Sequence, residues 1–123
     1  MAVGDISGTG YGDIIFGASK GVGMSLTPVV RVFSGEAIAN HTFDDNNPDA
    51  SLLSEFAAYL GVTSPTGTAV AASDFEGDGK ADVLLGLHQG SPTYRVVDPL
   101  RDETVNNIVG IFPVYPNNIF VGV

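Results

Sequence analysis

Short apolar runs alternate along the chain with clusters of glycine, proline, asparagine and aspartate. The runs fall near residues 2–4, 14–18, 29–33, 37–42, 68–73, 83–87, 94–97, 104–109 and 119–123. They are rich in Val, Ile and Phe, whose branched or aromatic side chains suit a pleated, half-buried surface, so each predicts a β-strand. Residues 52–60 stay ambiguous. Their apolar positions fit a helical period, but the segment is too short to decide between helix and strand.

The chain also repeats itself, and a repeat governs every local reading. Asp5 aligns with Asp74, Gly8 with Gly77, Gly10 with Gly79, Asp13 with Asp82 and Gly17 with Gly86. An apolar triplet follows the last aspartate in each copy: Ile14-Ile15-Phe16 and Val83-Leu84-Leu85. Further on, Pro28-Val29-Val30-Arg31-Val32-Phe33 parallels Pro92-Thr93-Tyr94-Arg95-Val96-Val97. The last residues, 118–123, look like the strand that precedes each acidic loop. The expected organisation is one unit, 1–123, with repeat one at about 1–69, repeat two at about 70–118 and the start of a third-repeat strand at 119–123. The polar stretch 44–49 is an insertion in copy one, and no Gly/Ser-rich linker divides the chain.

Composition narrows the class. With 123 residues, 44% hydrophobic and 15% charged, the chain is long enough for one small folded domain and too apolar for bulk disorder. Sixteen Gly and seven Pro mark many turns and favour an all-β architecture. A net charge of −9 repels phosphate, which argues against nucleic acid and anionic membrane surfaces as partners. Clustered carboxylates that hold a cation explain such a charge better. Without cysteine there is no disulfide framework and no thiolate metal site. No apolar run reaches the length of a membrane span. Met1 leads straight into Ala2-Val3-Gly4-Asp5 with no signal-peptide pattern, so the chain is either cytosolic or a piece of something longer.

The strongest chemical signal is Asp74-x-Glu76-x-Asp78-Gly79-x-x-Asp82. Calcium takes six to eight oxygen ligands, and a compact loop supplies them from alternate positions. Here these are the carboxylates of Asp74, Glu76, Asp78 and Asp82, and the main-chain carbonyl of Lys80. Gly79 permits the sharp turn. The first half resembles an EF-hand loop; the second does not, since no Glu stands at position 12 and strands flank the loop. The bland reading is a solvated Asp-Gly hairpin turn, but four carboxylates within nine residues repel one another there. Loop one offers Asp5, Ser7, Thr9, the Tyr11 carbonyl and Asp13, only two of them carboxylates. For it, a calcium loop and a turn held by aspartate-to-backbone hydrogen bonds stand side by side.

The succession of an apolar strand, Gly-Asp or Ser-Asp, a Gly-x-Gly-x-x-Asp turn, a second apolar strand and Phe16-Gly17-Ala18 resembles the FG-GAP repeat of integrin-type β-propellers. It is also similar to the related VCBS repeats of large bacterial surface proteins. The resemblance covers most of the chain apart from the insertion and the stretch around 98–114. It implies an all-β fold of two four-stranded antiparallel propeller-type blades, each with Ca2+ in the loop between its first two strands. The implied ligands are Asp74, Glu76, Asp78, Lys80 and Asp82, and in loop one Asp5, Ser7, Thr9, Tyr11 and Asp13. Loop one departs from the family by lacking carboxylates at its third and fifth positions. Two blades are too few to close a propeller of four to eight. The pair therefore assembles with further copies, belongs to a longer propeller, or packs otherwise.

Catalysis has little support. His41 and His88 are the only histidines, no Gly-x-Ser-x-Gly elbow is present, and Gly21-Val22-Gly23 lacks the rest of a phosphate-binding fingerprint. Asn40-His41-Thr42 matches a glycosylation sequon, which matters only in a eukaryotic secretory host. The expectation is a non-enzymatic calcium-binding module for adhesion, protein binding or scaffolding, extracellular or cell-surface as part of a secreted parent. The expected partners are a second copy of the chain or neighbouring blades, and a protein or glycan ligand. The alternatives are a carbohydrate-binding propeller, or an accessory propeller segment of a secreted hydrolase or lyase.

Overall fold

The computed structural model describes residues 1–18, 28–58, 67–87, 93–101 and 103–109. The expected strand at 119–123, His88 and Gly21-Val22-Gly23 lie outside them. The described elements are β1 (Ala2–Gly4), β2 (Asp13–Gly17), β3 (Val29–Phe33), α1 (Gly35–Ala39), a 3-10 turn (Pro48–Ser51), β4 (Leu52–Ala57), β5 (Thr68–Ser73), β6 (Asp82–Leu87), β7 (Thr93–Asp98) and β8 (Glu103–Val109). They form two four-stranded antiparallel sheets, each with its strands side by side in chain order. Among the described residues the protein is thus mostly β, with one short α-helix, and the two sheets do not close into a propeller. No described helix is long and apolar enough to cross a membrane.

Two sequence expectations change. Residues 37–42 do not form a strand; helix α1 occupies Gly35–Ala39 instead. Ser34, extended at φ −62°, ψ 118°, accepts a hydrogen bond from the Ala37 N–H, which satisfies an otherwise orphan donor and starts the turn. The fourth strand of the first sheet comes from the ambiguous segment, as β4. Its register with β3, Val30↔Phe56 and Arg31↔Glu55, turns Phe56 into the core and places Glu55 beside Arg31 on the outer face. Sheet pairing overrides the helical period of so short a segment.

The core lies between the sheets. Ile15, Val30, Val32 and Phe56 of the first sheet meet Val70, Ala72, Val83, Leu85 and Val97 of the second. The sheets approach most closely through β1, β2 and β5. A Cβ added at Gly4 would stand 2.7 Å from the Ala72 Cβ, so that crossing admits only glycine. Main-chain hydrogen bonds from Thr68 to Ala18 and from Ala81 to Asp5 tie the units together at both ends.

The two repeats do not present the same face to this core. The paired rows make Ile14 equivalent to Val83 and Ile15 to Leu84, since Ile14 pairs with Phe33 as Val83 pairs with Val97. Sheet one buries Ile15 and Val32 in the core, while sheet two buries Val83 and Val97 there. One face of sheet one therefore packs on the opposite face of sheet two, a head-to-tail stacking.

Candidate metal centre

Because β1 lies against β5, the β1–β2 and β5–β6 loops emerge side by side. The Ala81 N–H donates to the Asp5 carbonyl at 2.8 Å, and a Cβ at Gly8 would lie 3.0 Å from the Lys80 Cε. Both loops are built on the same backbone. Gly8 and Gly10 in loop one, and Gly77 and Gly79 in loop two, have φ between 72° and 87°, a region that disfavours any residue with a Cβ.

The first aspartate of each loop pins its own turn. Asp5 accepts the Thr9 N–H at 3.0 Å and the Gly10 N–H at 2.8 Å. Asp74 likewise accepts from Asp78 at 3.1 Å and Gly79 at 3.0 Å, and also from Gly77 at 2.6 Å. Asp78 takes the Lys80 N–H at 2.9 Å. These carboxylates hold the chain as Asx-type turns do.

The last aspartates differ. Asp13 is fully buried and accepts three hydrogen bonds: from the Ser7 N–H at 2.8 Å, the Ser7 hydroxyl at 2.9 Å and the Gly35 N–H at 2.8 Å. Asp82, 5% exposed, accepts the Phe75 N–H at 2.9 Å and stands among like charges. One carboxylate oxygen each of Glu76, Asp82 and Asp98 lie within 4.8 Å of one another. Burial pushes the Asp82 carboxyl above its usual range, and the charges of Asp98 and Asp78 add to that; hydrogen bonds from the Phe75 and Glu76 main chain oppose it. Arg101 is the local counter-charge, its Nε 3.4 Å from Asp98 and a terminal nitrogen 4.0 Å from Glu76.

Of the ten residues expected from sequence to hold calcium, the structure brings Glu76 and Asp82 into one carboxylate group. Asp74 and Asp78 stand outside it, engaged with their own loop. Asp5, Ser7, Thr9 and Asp13 form a hydrogen-bonded turn, with Ser7 and Thr9 hydroxyls 3.1 Å apart. Tyr11 and Lys80 enter the pattern through main-chain carbonyls, and the Tyr11 side chain is exposed. Asp98, at the end of β7, was not expected. It follows the matched segment Arg95-Val96-Val97, and pairing β7 against β6 is what carries it to Asp82. Three oxygens from Glu76, Asp82 and Asp98 suit a hard cation and would provide part of a calcium shell, with main-chain carbonyls or water completing it. Comparison with protein-family models, curated proteins and solved structures found no match to this chain.

Proposed function

We propose that the chain is a non-enzymatic, calcium-stabilised β module of two FG-GAP/VCBS-like blades, serving adhesion, protein binding or scaffolding in a secreted or cell-surface parent. The observation that supports it best is the grouping of Glu76, Asp82 and Asp98 beside an Asp/Gly loop. A buried aspartate held next to two further carboxylates is costly, and a divalent cation converts that cost into binding. Two four-stranded sheets in simple up-and-down order are compatible with blades, and their head-to-tail stacking is the arrangement that successive blades require. On this reading loop two is the ion site and loop one a hydrogen-bonded copy of its backbone. The partners are a second copy of the chain or neighbouring blades.

Calorimetric titration with calcium tests the assignment. Saturable binding is expected in the unmodified chain, with at least a tenfold loss of affinity in Asp98→Asn. Excess chelator is expected to lower the melting temperature, and magnesium to restore it poorly because it demands tighter octahedral geometry. No calcium response in either measurement removes the ion from the account.

A further inference from the structure

We infer that Asp78 is a site of spontaneous isoaspartate formation in the folded chain, a covalent modification that the backbone of loop two promotes and that loop one cannot undergo at the equivalent place. The reaction is internal. The Gly79 main-chain nitrogen attacks the Asp78 side-chain carbon Cγ. An N–Cγ bond forms while one carboxylate oxygen leaves as water, carrying the amide proton and one proton from the solvent. Water then adds to the five-membered imide and opens it at the former main-chain carbonyl. Nothing is oxidised or reduced, and the water lost in the first step is regained in the second. In the product the backbone runs through the Asp78 side chain, one carbon longer, and a free carboxylate is left on Cα.

Sequence and geometry converge on this residue. Of the chain's aspartates only Asp78 is followed by glycine, and no asparagine, which forms the same ring by losing ammonia, precedes one. A glycine nitrogen is the least crowded of nucleophiles, because no Cβ stands beside it, and the φ of 87° reserves position 79 for glycine. Both residues are exposed, and a Cβ built at Gly79 meets nothing within 4 Å, so the ring and the incoming water have room. Asp78 takes the Lys80 N–H at 2.9 Å, an Asx-type turn that folds its carboxyl over the intervening Gly79 peptide. Asp74 accepts the Gly79 N–H at 3.0 Å, so an acceptor already stands on the proton that leaves as the nitrogen attacks. Loop one is the internal control. Gly10 has a φ of 85° and its N–H meets Asp5 at 2.8 Å, as Gly79 meets Asp74, but the residue before it is Thr9, whose side chain has no carboxyl carbon to attack. In loop two the added carbon lengthens the chain between Glu76 and Asp82 and takes the Asp78 carboxylate away from Lys80. The reaction needs no ion and no other protein, so it stands apart from the calcium reading.

The test is prolonged incubation of the full chain at physiological temperature and pH, in chelator, beside the same chain unfolded in urea. Isoaspartate is counted by enzymatic methyl transfer and located by mass spectrometry of peptides. In the folded chain, residue 78 is expected to accumulate isoaspartate about tenfold faster than any other aspartate, the mark of a lower barrier at one place. Asp78→Thr, which installs the residue that loop one carries there, should remove the signal and leave the circular dichroism spectrum unchanged. Thr9→Asp, which gives loop one the reactive pair on the same backbone, should add a second site at position 9. Modification of residue 78 in urea but not in the folded chain overturns the inference, because the loop then protects the pair. So does isoaspartate spread evenly over the aspartates, or a folded Thr9→Asp chain that gains none at position 9.

Discussion

Asp13 and Asp82 hold equivalent places at the starts of β2 and β6, yet one is saturated with donors and the other is set among carboxylates. The pairing Ile14↔Phe33 against Val83↔Val97 makes Ser34 equivalent to Asp98 and Gly35 to Pro99. In repeat one, Ser34 caps α1 and the Gly35 N–H reaches the Asp13 Oδ1. In repeat two, Pro99 has no N–H to give. Its neighbour Asp98 instead takes the Leu100 and Arg101 N–H groups into a tight turn toward β8. The same two changes remove a donor from the buried aspartate, add a carboxylate beside it and shorten the connection between the third and fourth strands. A single backbone loop thus yields a self-sufficient turn in one repeat and an electrostatically unfinished site in the other.

If that contrast holds, removing the two aspartates has unlike consequences. Asp13→Ala strands two main-chain N–H groups and the Ser7 hydroxyl, two of those bonds running to Ser7 and one to Gly35. Each hydrogen bond to a charged group contributes about 1.5–3 kcal/mol, and three within one network do not add fully, so a loss of about 4–5 kcal/mol is expected, with or without calcium. Asp82→Ala strands the Phe75 and Glu76 N–H groups, the latter exposed enough to find water, and also relieves crowding with Glu76 and Asp98, so in chelator it should cost about 1 kcal/mol or less. Urea unfolding of both variants in chelator checks the ranking. Equal losses would mean that the two loops are held in the same way.

A smaller effect separates the sites by pH. The folded-state pKa of Asp82 is raised above the ordinary aspartate value of 3.8, with burial as the main cause. Between 3.8 and that raised value the folded state binds more protons than the unfolded one, so this group's contribution to stability falls as the pH rises through the window. At neutral pH the charged form is at its most unfavourable. Asp82→Asn keeps an oxygen for the Phe75 N–H and removes the charge. In chelator at pH 7 it is expected to melt a few degrees above the unmodified chain, on the order of 4 °C per kcal/mol gained. That advantage should shrink as the pH is lowered toward 3.8. Melting curves of the pair across pH 4–8 supply the comparison, and an advantage that does not change with pH would assign it to packing rather than charge.

Much of this architecture was readable from residue spacing, for a specific reason. The glycines at 8, 10, 77 and 79 mark positive φ, and the aspartates at 5 and 74 supply acceptors for the turns between them; both signals are local. Helix α1 was missed because Ala37, Ile38 and Ala39 suit either state, and the Ser34 cap decides between them. Strand β4 was ambiguous because Leu52, Leu53 and Phe56 fit a helical period until β3 fixes their register. Asp98 was invisible as a site residue for a related reason: it stands 16 positions beyond Asp82 and reaches it only through the β6–β7 pairing. Conversely, Asp74 and Asp78 had the spacing of ligands, but main-chain N–H groups of the loop engage them.

The finest distinction between the repeats is Arg101, for which the first has no counterpart in its hydrogen-bonded loop. Its guanidinium lies 3.4 Å from Asp98 and 4.0 Å from Glu76, so it partly neutralises the group that would bind a cation. The side chain is 57% exposed, and ion pairs at such positions contribute little to stability because solvent screens them. Its influence should therefore appear in ion binding more than in folding. On the proposed reading, a calcium ion at this group would either share the carboxylates with Arg101 or displace it, and removing a competing positive charge would favour the incoming one. Arg101→Ala is expected to strengthen calcium binding about threefold to fivefold, equivalent to roughly 1 kcal/mol or less, while moving the melting temperature in chelator by no more than about a degree. Calorimetry on this variant beside the unmodified chain reads the first number and a thermal melt the second. Weaker calcium binding in Arg101→Ala would show that the arginine organises Asp98 for the ion, and that the ion leaves the pairing with Asp98 in place.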